Sequence, residues 1–137
     1  PRSDRLVVVG HSLGGLLLRM VLQDDDVPDN VLGWVSICAP LHGTWRSRLA
    51  LSPGLRALAP DSDMMRDVLA GAHRLERLEG RILTIGARYD QMIAPHTSAF
   101  LDPHPQLELD HVAHAGSLLD RRVFGAVTDA VRRWQVS

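Results

Sequence analysis

Ser12 sits in Gly10-His11-Ser12-Leu13-Gly14, with a glycine two residues away on each side. A serine hydroxyl is a weak nucleophile near neutral pH and needs an adjacent base to take its proton. All 15 basic residues are arginine, which excludes a Ser-Lys dyad, a Schiff base and a P-loop lysine. Seven histidines are present. Three of them, with Asp110, cluster late in the chain as His104, His111 and His114, but the spacing H-x6-H-x2-H matches no zinc motif, so no metal or other cofactor is expected. The single cysteine, Cys38, has no internal disulfide partner and lies in an apolar run, where it reads as a small core residue.

The elements around Ser12 give the motif its context. Leu6 to Val9 is a short, wholly apolar run, the pattern of a parallel strand buried on both faces. Leu16 to Gln23 is a helix-permissive apolar segment, closed by Asp24-Asp25-Asp26 and Pro28. A turn that tight forces the serine into a strained backbone conformation and is expected to exclude side chains at both Gly10 and Gly14. The first free N–H groups of the helix then point toward whatever Ser12 attacks.

Strand, G-x-S-x-G and helix together resemble the nucleophile elbow of the α/β-hydrolase superfamily, and Gly10 to Gly15 is similar to its lipase and esterase branch. Three later segments extend the resemblance. Pro40-Leu41-His42-Gly43-Thr44 is similar to the P-[HL]-H-G-[ST] segment after the next strand, although His42 reads better as satisfying loop backbone groups than as a participant in chemistry. Gly86 to Pro95 resembles the G-x-x-D-x-x-V-P stretch, which implies Asp90 as the acid of a triad. Val112-Ala113-His114 resembles the V-G-H segment, which implies His114 as the base; Ala113 replaces the usual glycine, and His111 is a rival three residues earlier. The order Ser12, Asp90, His114 is that of the α/β hydrolases. The resemblance further implies an oxyanion donor at the Leu13 N–H and substrate contacts near His11 and His42.

Further along, Val31 to Cys38 and Arg81 to Gly86 read as strands, and Leu107 and Leu109 mark a short last one. Trp45 to Gly80 is the least strand-like stretch. Asp61-Ser62-Asp63 can cap a helix from Met64 to Ala70 there, and the resemblance makes 45–80 a lid or cap; ordinary helices on the sheet are the alternative. Asp120 to Gln135 is amphipathic, with Val123, Val127, Ala130, Val131 and Trp134 on one face and arginines among the outward positions.

With 137 residues the chain is one domain with room for a core. A net charge of −1 gives no reason to expect nucleic acid or an anionic membrane as partner. No run of eighteen apolar residues and no signal peptide is present, so the location is left open between cytoplasm and secretion. Pro1 is not an initiator residue, and the resemblance covers nearly all of this chain but only the C-terminal half or so of the fold. The expected architecture is therefore a partial α/β-hydrolase sandwich, mostly parallel, lacking the early strands and exposing a sheet edge prone to self-association. The expected activity is cleavage of small-molecule or lipid carboxylic esters through an acyl-serine. An acyltransferase of the same fold and a non-catalytic binding piece are the alternatives.

Overall fold

The computed structural model describes residues 5–27 and 29–136. Four strands pair in parallel in the order β1 (Leu6–His11), β2 (Val31–Ile37), β3 (Ile82–Ala87), β4 (Gln106–Leu109). Parallel neighbours need crossovers. The first is helix α1 (Leu13–Leu22), and the second is the long 45–78 segment, which holds 3-10 turns at both ends around the short helix α2 (Pro53–Arg56) and helix α3 (Asp63–Ala70). Helix α4 (Arg121–Val136) closes the described chain.

Strand alternation sorts the core into two layers. Trp34 and Ile82 face a cluster with Leu22, Leu41, Leu75 and Leu78, whereas Val35, Ile37 and Ile85 face Val123, Ala130 and Trp134 of α4. Helix α4 approaches so closely that a Cβ on Gly33 would lie 2.4 Å from the Trp134 ring. A third cluster joins Leu16 of α1 to Leu58, Met65 and Val68. Residues 63–78 therefore pack into the core, with Ser62 capping α3 by accepting from the Met65 N–H at 3.1 Å.

The expectation that Leu6 to Val9 is buried on both faces does not hold. Leu6 and Val9 are each 45% exposed. Among the described residues β1 pairs with β2 alone, so it is an edge strand with fewer neighbours above and below it. The helix after Ser12 also begins earlier than the apolar pattern suggested, at Leu13, because the two glycines of the turn already belong to its first turn.

Candidate active site

Ser12 stands between the end of β1 and the start of α1 with φ 54° and ψ −128°, in the left-handed half of backbone space that a non-glycine residue occupies only at some cost. The neighbours enforce it. A Cβ on Gly10 would lie 2.7 Å from the backbone of Gly14 and Gly15, and one on Gly15 would lie 2.5 Å from the Ala39 side chain. Gly14, expected to be equally constrained, has nothing within 4 Å of its Cβ position. The close approach falls one residue later, where α1 passes over the end of β2. The N–H groups of Leu13 and Gly14 open the helix next to Ser12 with no acceptor one turn back.

Residues far apart in sequence meet at this serine. The Ser12 hydroxyl donates to His114 Nε2 at 2.8 Å, and His114 Nδ1–H donates to Asp90 Oδ2 at 2.7 Å. Which ring nitrogen carries the proton follows from these partners. Asp90 leaves the end of β3; its side chain is 1% exposed, and its Oδ1 accepts the N–H groups of Met92 and Ile93 at 2.7 and 2.9 Å. Burial pushes the Asp90 carboxyl upward, but the bonds from His114, Ile93 and Met92 outweigh it and hold the group below its ordinary value. Asp90 is thus a carboxylate that stays charged against the imidazole.

The supporting contacts are equally specific. The His114 carbonyl accepts the Ser117 hydroxyl at 2.7 Å and lies 3.2 Å from His11 Nε2, whose ring sits 4.9 Å from the His114 ring. Thr44 Oγ1 donates to the Met92 carbonyl at 3.1 Å and accepts from the Ala94 N–H at 3.0 Å, which ties the 40–44 loop to the loop carrying Asp90. Cys38, at φ 47° and fully buried, has its thiol pushed up by burial; Ser117 and Asp90 are its neighbours. A cavity of about 180 Å³ opens at Ser12 and is walled by Leu13, Pro40, Arg46, Leu55 and Ile93 among others. A larger one, about 660 Å³, lies away from the serine between 72–80 and 101–105.

Not every residue singled out in the sequence reaches Ser12. His42 lines a different cavity and bonds Ser98: its N–H donates to Ser98 Oγ at 3.1 Å, and its Nδ1 lies 3.4 Å from the Ser98 carbonyl. Burial first, then the charge of Arg19, pushes its pKa down. His111 is exposed at φ 59° and stacks on Tyr89 with ring centroids 5.8 Å apart, so His114 alone of the two contacts the serine. His11 reaches the backbone of His114. In the sequence Thr44 is marked only as the last residue of the P-[HL]-H-G-[ST]-like segment, and Ser117 has no distinct signal; a hydroxyl three residues after His114 is at most a hint of a local side-chain bond.

No family model and no curated protein matches the sequence. Solved structures do. The esterase domain of a Rhodothermus marinus protein is 18% identical, with a TM-score of 0.60 over 94% of this chain and 60% of its own. The α/β hydrolase GrgF from Penicillium sp. sh18 is 10% identical, with a TM-score of 0.61 over 99% of this chain and 66% of its own. A monoacylglycerol lipase from Paleococcus ferrophilus is 13% identical, with a TM-score of 0.51 over 93% of this chain and 70% of its own. The fold is that of the α/β hydrolases, and this chain carries part of it, spanning less than two thirds of the first two.

Proposed function

We propose that this chain is a serine hydrolase of carboxylic esters, with Ser12 as nucleophile, His114 as general base and acid, and Asp90 as the acid that orients the imidazole. The observation that carries the reading is the continuous relay from Ser12 Oγ through both ring nitrogens of His114 to Asp90. Ser12 Oγ attacks the ester carbonyl while its proton passes to His114 Nε2. The carbon–oxygen bond to the alcohol breaks, and the imidazolium returns that proton to the leaving oxygen. Water then attacks the acyl carbon as its proton passes to Nε2. The bond from that carbon to Ser12 Oγ breaks, and the imidazolium returns the proton to Oγ as the acid leaves. Asp90, charged throughout, stabilises the imidazolium. The Leu13 N–H supplies an oxyanion donor, each such donor contributing about 3 to 4 kcal/mol to the transition state. His11 serves this reading by holding the His114 backbone, and His42 by fixing the 40–44 loop. Of the stretch 45–80, residues 45–58 act as the cap, with Arg46 and Leu55 in the wall of the Ser12 cavity, while the later part packs into the core.

Fluorophosphonate labelling of the chain beside its Ser12→Ala variant tests this, together with turnover of a 4-nitrophenyl ester. Labelling should vanish in Ser12→Ala. Turnover should fall by about 10⁴-fold or more in Ser12→Ala and His114→Ala, and by about 10⁴-fold in Asp90→Asn. Labelling that persists in Ser12→Ala, or no labelling of the folded chain, refutes the assignment.

A further inference from the structure

We infer that the groove leading away from Ser12 between α1 and residues 52–64 is a channel for an aliphatic acyl chain longer than butyryl; this deepens the acyl-serine reading and rests on it. A second cavity, about 380 Å³, lies beside the one at Ser12 and is lined by Leu16, Leu17, Met20 and Met64, with Ser52 and Gly54 at its side. The two cavities share Leu13, Leu55 and Leu58 as walls, so they adjoin at the residue that follows the nucleophile. Among the described residues no charged side chain lines the second cavity.

The helix facing it is built for an apolar guest. Leu13, Leu17 and Met20 recur at helical spacing on the outward side of α1 and are 42%, 52% and 38% exposed, while Leu16, Arg19 and Leu22 fill the inward side. A helix with one buried face normally carries polar residues on the other, as α4 does with Arg121, Arg122, Arg132 and Arg133. An outward apolar stripe that begins beside the nucleophile and lines a groove is instead the mark of a binding surface. Its adjacency to the Ser12 cavity selects the occupant, because a chain attached to Ser12 through its carbonyl has this groove as the neighbouring apolar space.

Volume sets the length. At about 30 Å³ per heavy atom, similar to the share of a water in the liquid, the 180 Å³ cavity holds the carbonyl group and about four carbons, and the 380 Å³ cavity about a dozen more. Butyryl groups stay within the first cavity, and longer acyl groups, up to about sixteen carbons, extend along the second. Full burial of a methylene is a factor of about four in an equilibrium or rate constant. The groove walls stay about half exposed, so about twofold per methylene is expected here.

The test is kcat/KM for monomeric 4-nitrophenyl esters from acetate to dodecanoate, on the chain and on two groove variants. From butyrate to decanoate kcat/KM should rise by about fiftyfold. A Cβ on Gly54 meets only Ser52 Oγ, at 3.7 Å, so Gly54→Phe can fill the groove without disturbing the backbone, and Leu17→Gln makes an exposed wall polar. Each should cut the decanoate-to-butyrate ratio by about tenfold. A profile that is flat or falls beyond butyrate, or a ratio that neither variant changes, overturns the proposal and leaves the groove to another protein segment. Ser12 labelling by a fluorophosphonate separates these outcomes from failure of the hydrolase reading: in that case neither labelling nor turnover of any ester is seen, and this proposal falls with it.

Discussion

His114 depends on its backbone as much as on its ring. Its carbonyl is held by Ser117 and reached by His11 Nε2, so removing the His11 ring leaves one of two anchors in place. A single net hydrogen bond contributes about 1 kcal/mol, so His11→Ala should lower kcat by about fivefold with KM nearly unchanged. Steady-state kinetics on a butyrate ester decide this; an unchanged kcat with a KM raised tenfold would instead put His11 against the substrate, where the sequence first suggested it. Ser12, Asp90 and His114 were legible because each lies in a short segment whose local pattern carries its own context: apolar strand, turn, small residues. Ser117 was not, because what it does is set by the His114 carbonyl, a partner that only the fold brings near; the loop role read for His42 holds, with Ser98 as the partner that the fold supplies.

Elements were legible where burial repeats with a period, and less so where tertiary contact decides. The strands and α4 follow their apolar patterns within a residue or two. The 45–78 stretch, with short helices and 3-10 turns and no long period, left its packing open. Its later part supplies Leu75 and Leu78 to the core, and Arg74 and Arg77 donate to the Gln23 and Leu22 carbonyls at the end of α1, where positive charge also suits the helix dipole. The glycines of the elbow show the same division. Sequence pattern treated Gly10 and Gly14 alike, yet the crowding lies at Gly10 and Gly15. Gly14→Ala, with open space and a helical position, is expected to be neutral or to stabilise the fold by about 0.5 to 1 kcal/mol. Gly15→Ala must displace Ala39 and is expected to cost about 1 to 3 kcal/mol. Urea midpoints of the two variants against the parent chain check the contrast, and equal losses in both would show that the elbow is tight throughout.

At the scale of the whole molecule, three titrating groups push stability the same way. His42 and His104 are both held below their ordinary 6.5, chiefly by burial, although the Ser98 carbonyl and Asp102 oppose the shift at His42 and Glu79 opposes it at His104. Arg19 adds to the shift at His42; it is itself lowered to about 10 by burial and donates to the Leu41 carbonyl at 2.5 Å. Asp90 lies below its ordinary 3.8. For each group the unfolded chain binds its proton at a higher pH than the folded chain does. The stability they contribute is therefore complete above the unfolded value and is lost as pH falls through the folded one. Two steps follow on acidification from pH 7: one that starts near 6.5 and belongs to the histidines, and one below 3.8 to which Asp90 contributes. Urea unfolding at intervals of pH should show stability decreasing on both, and the double variant His42→Gln, His104→Gln should flatten the first while leaving the second. His104 does not line the Ser12 cavity, so His104→Gln alone should keep its ester turnover near pH 7, whereas His42→Gln also loosens the 40–44 loop. A parent chain whose stability holds level or rises from pH 7 to pH 5 would mean that these imidazoles gain acidic partners on folding that outweigh their burial.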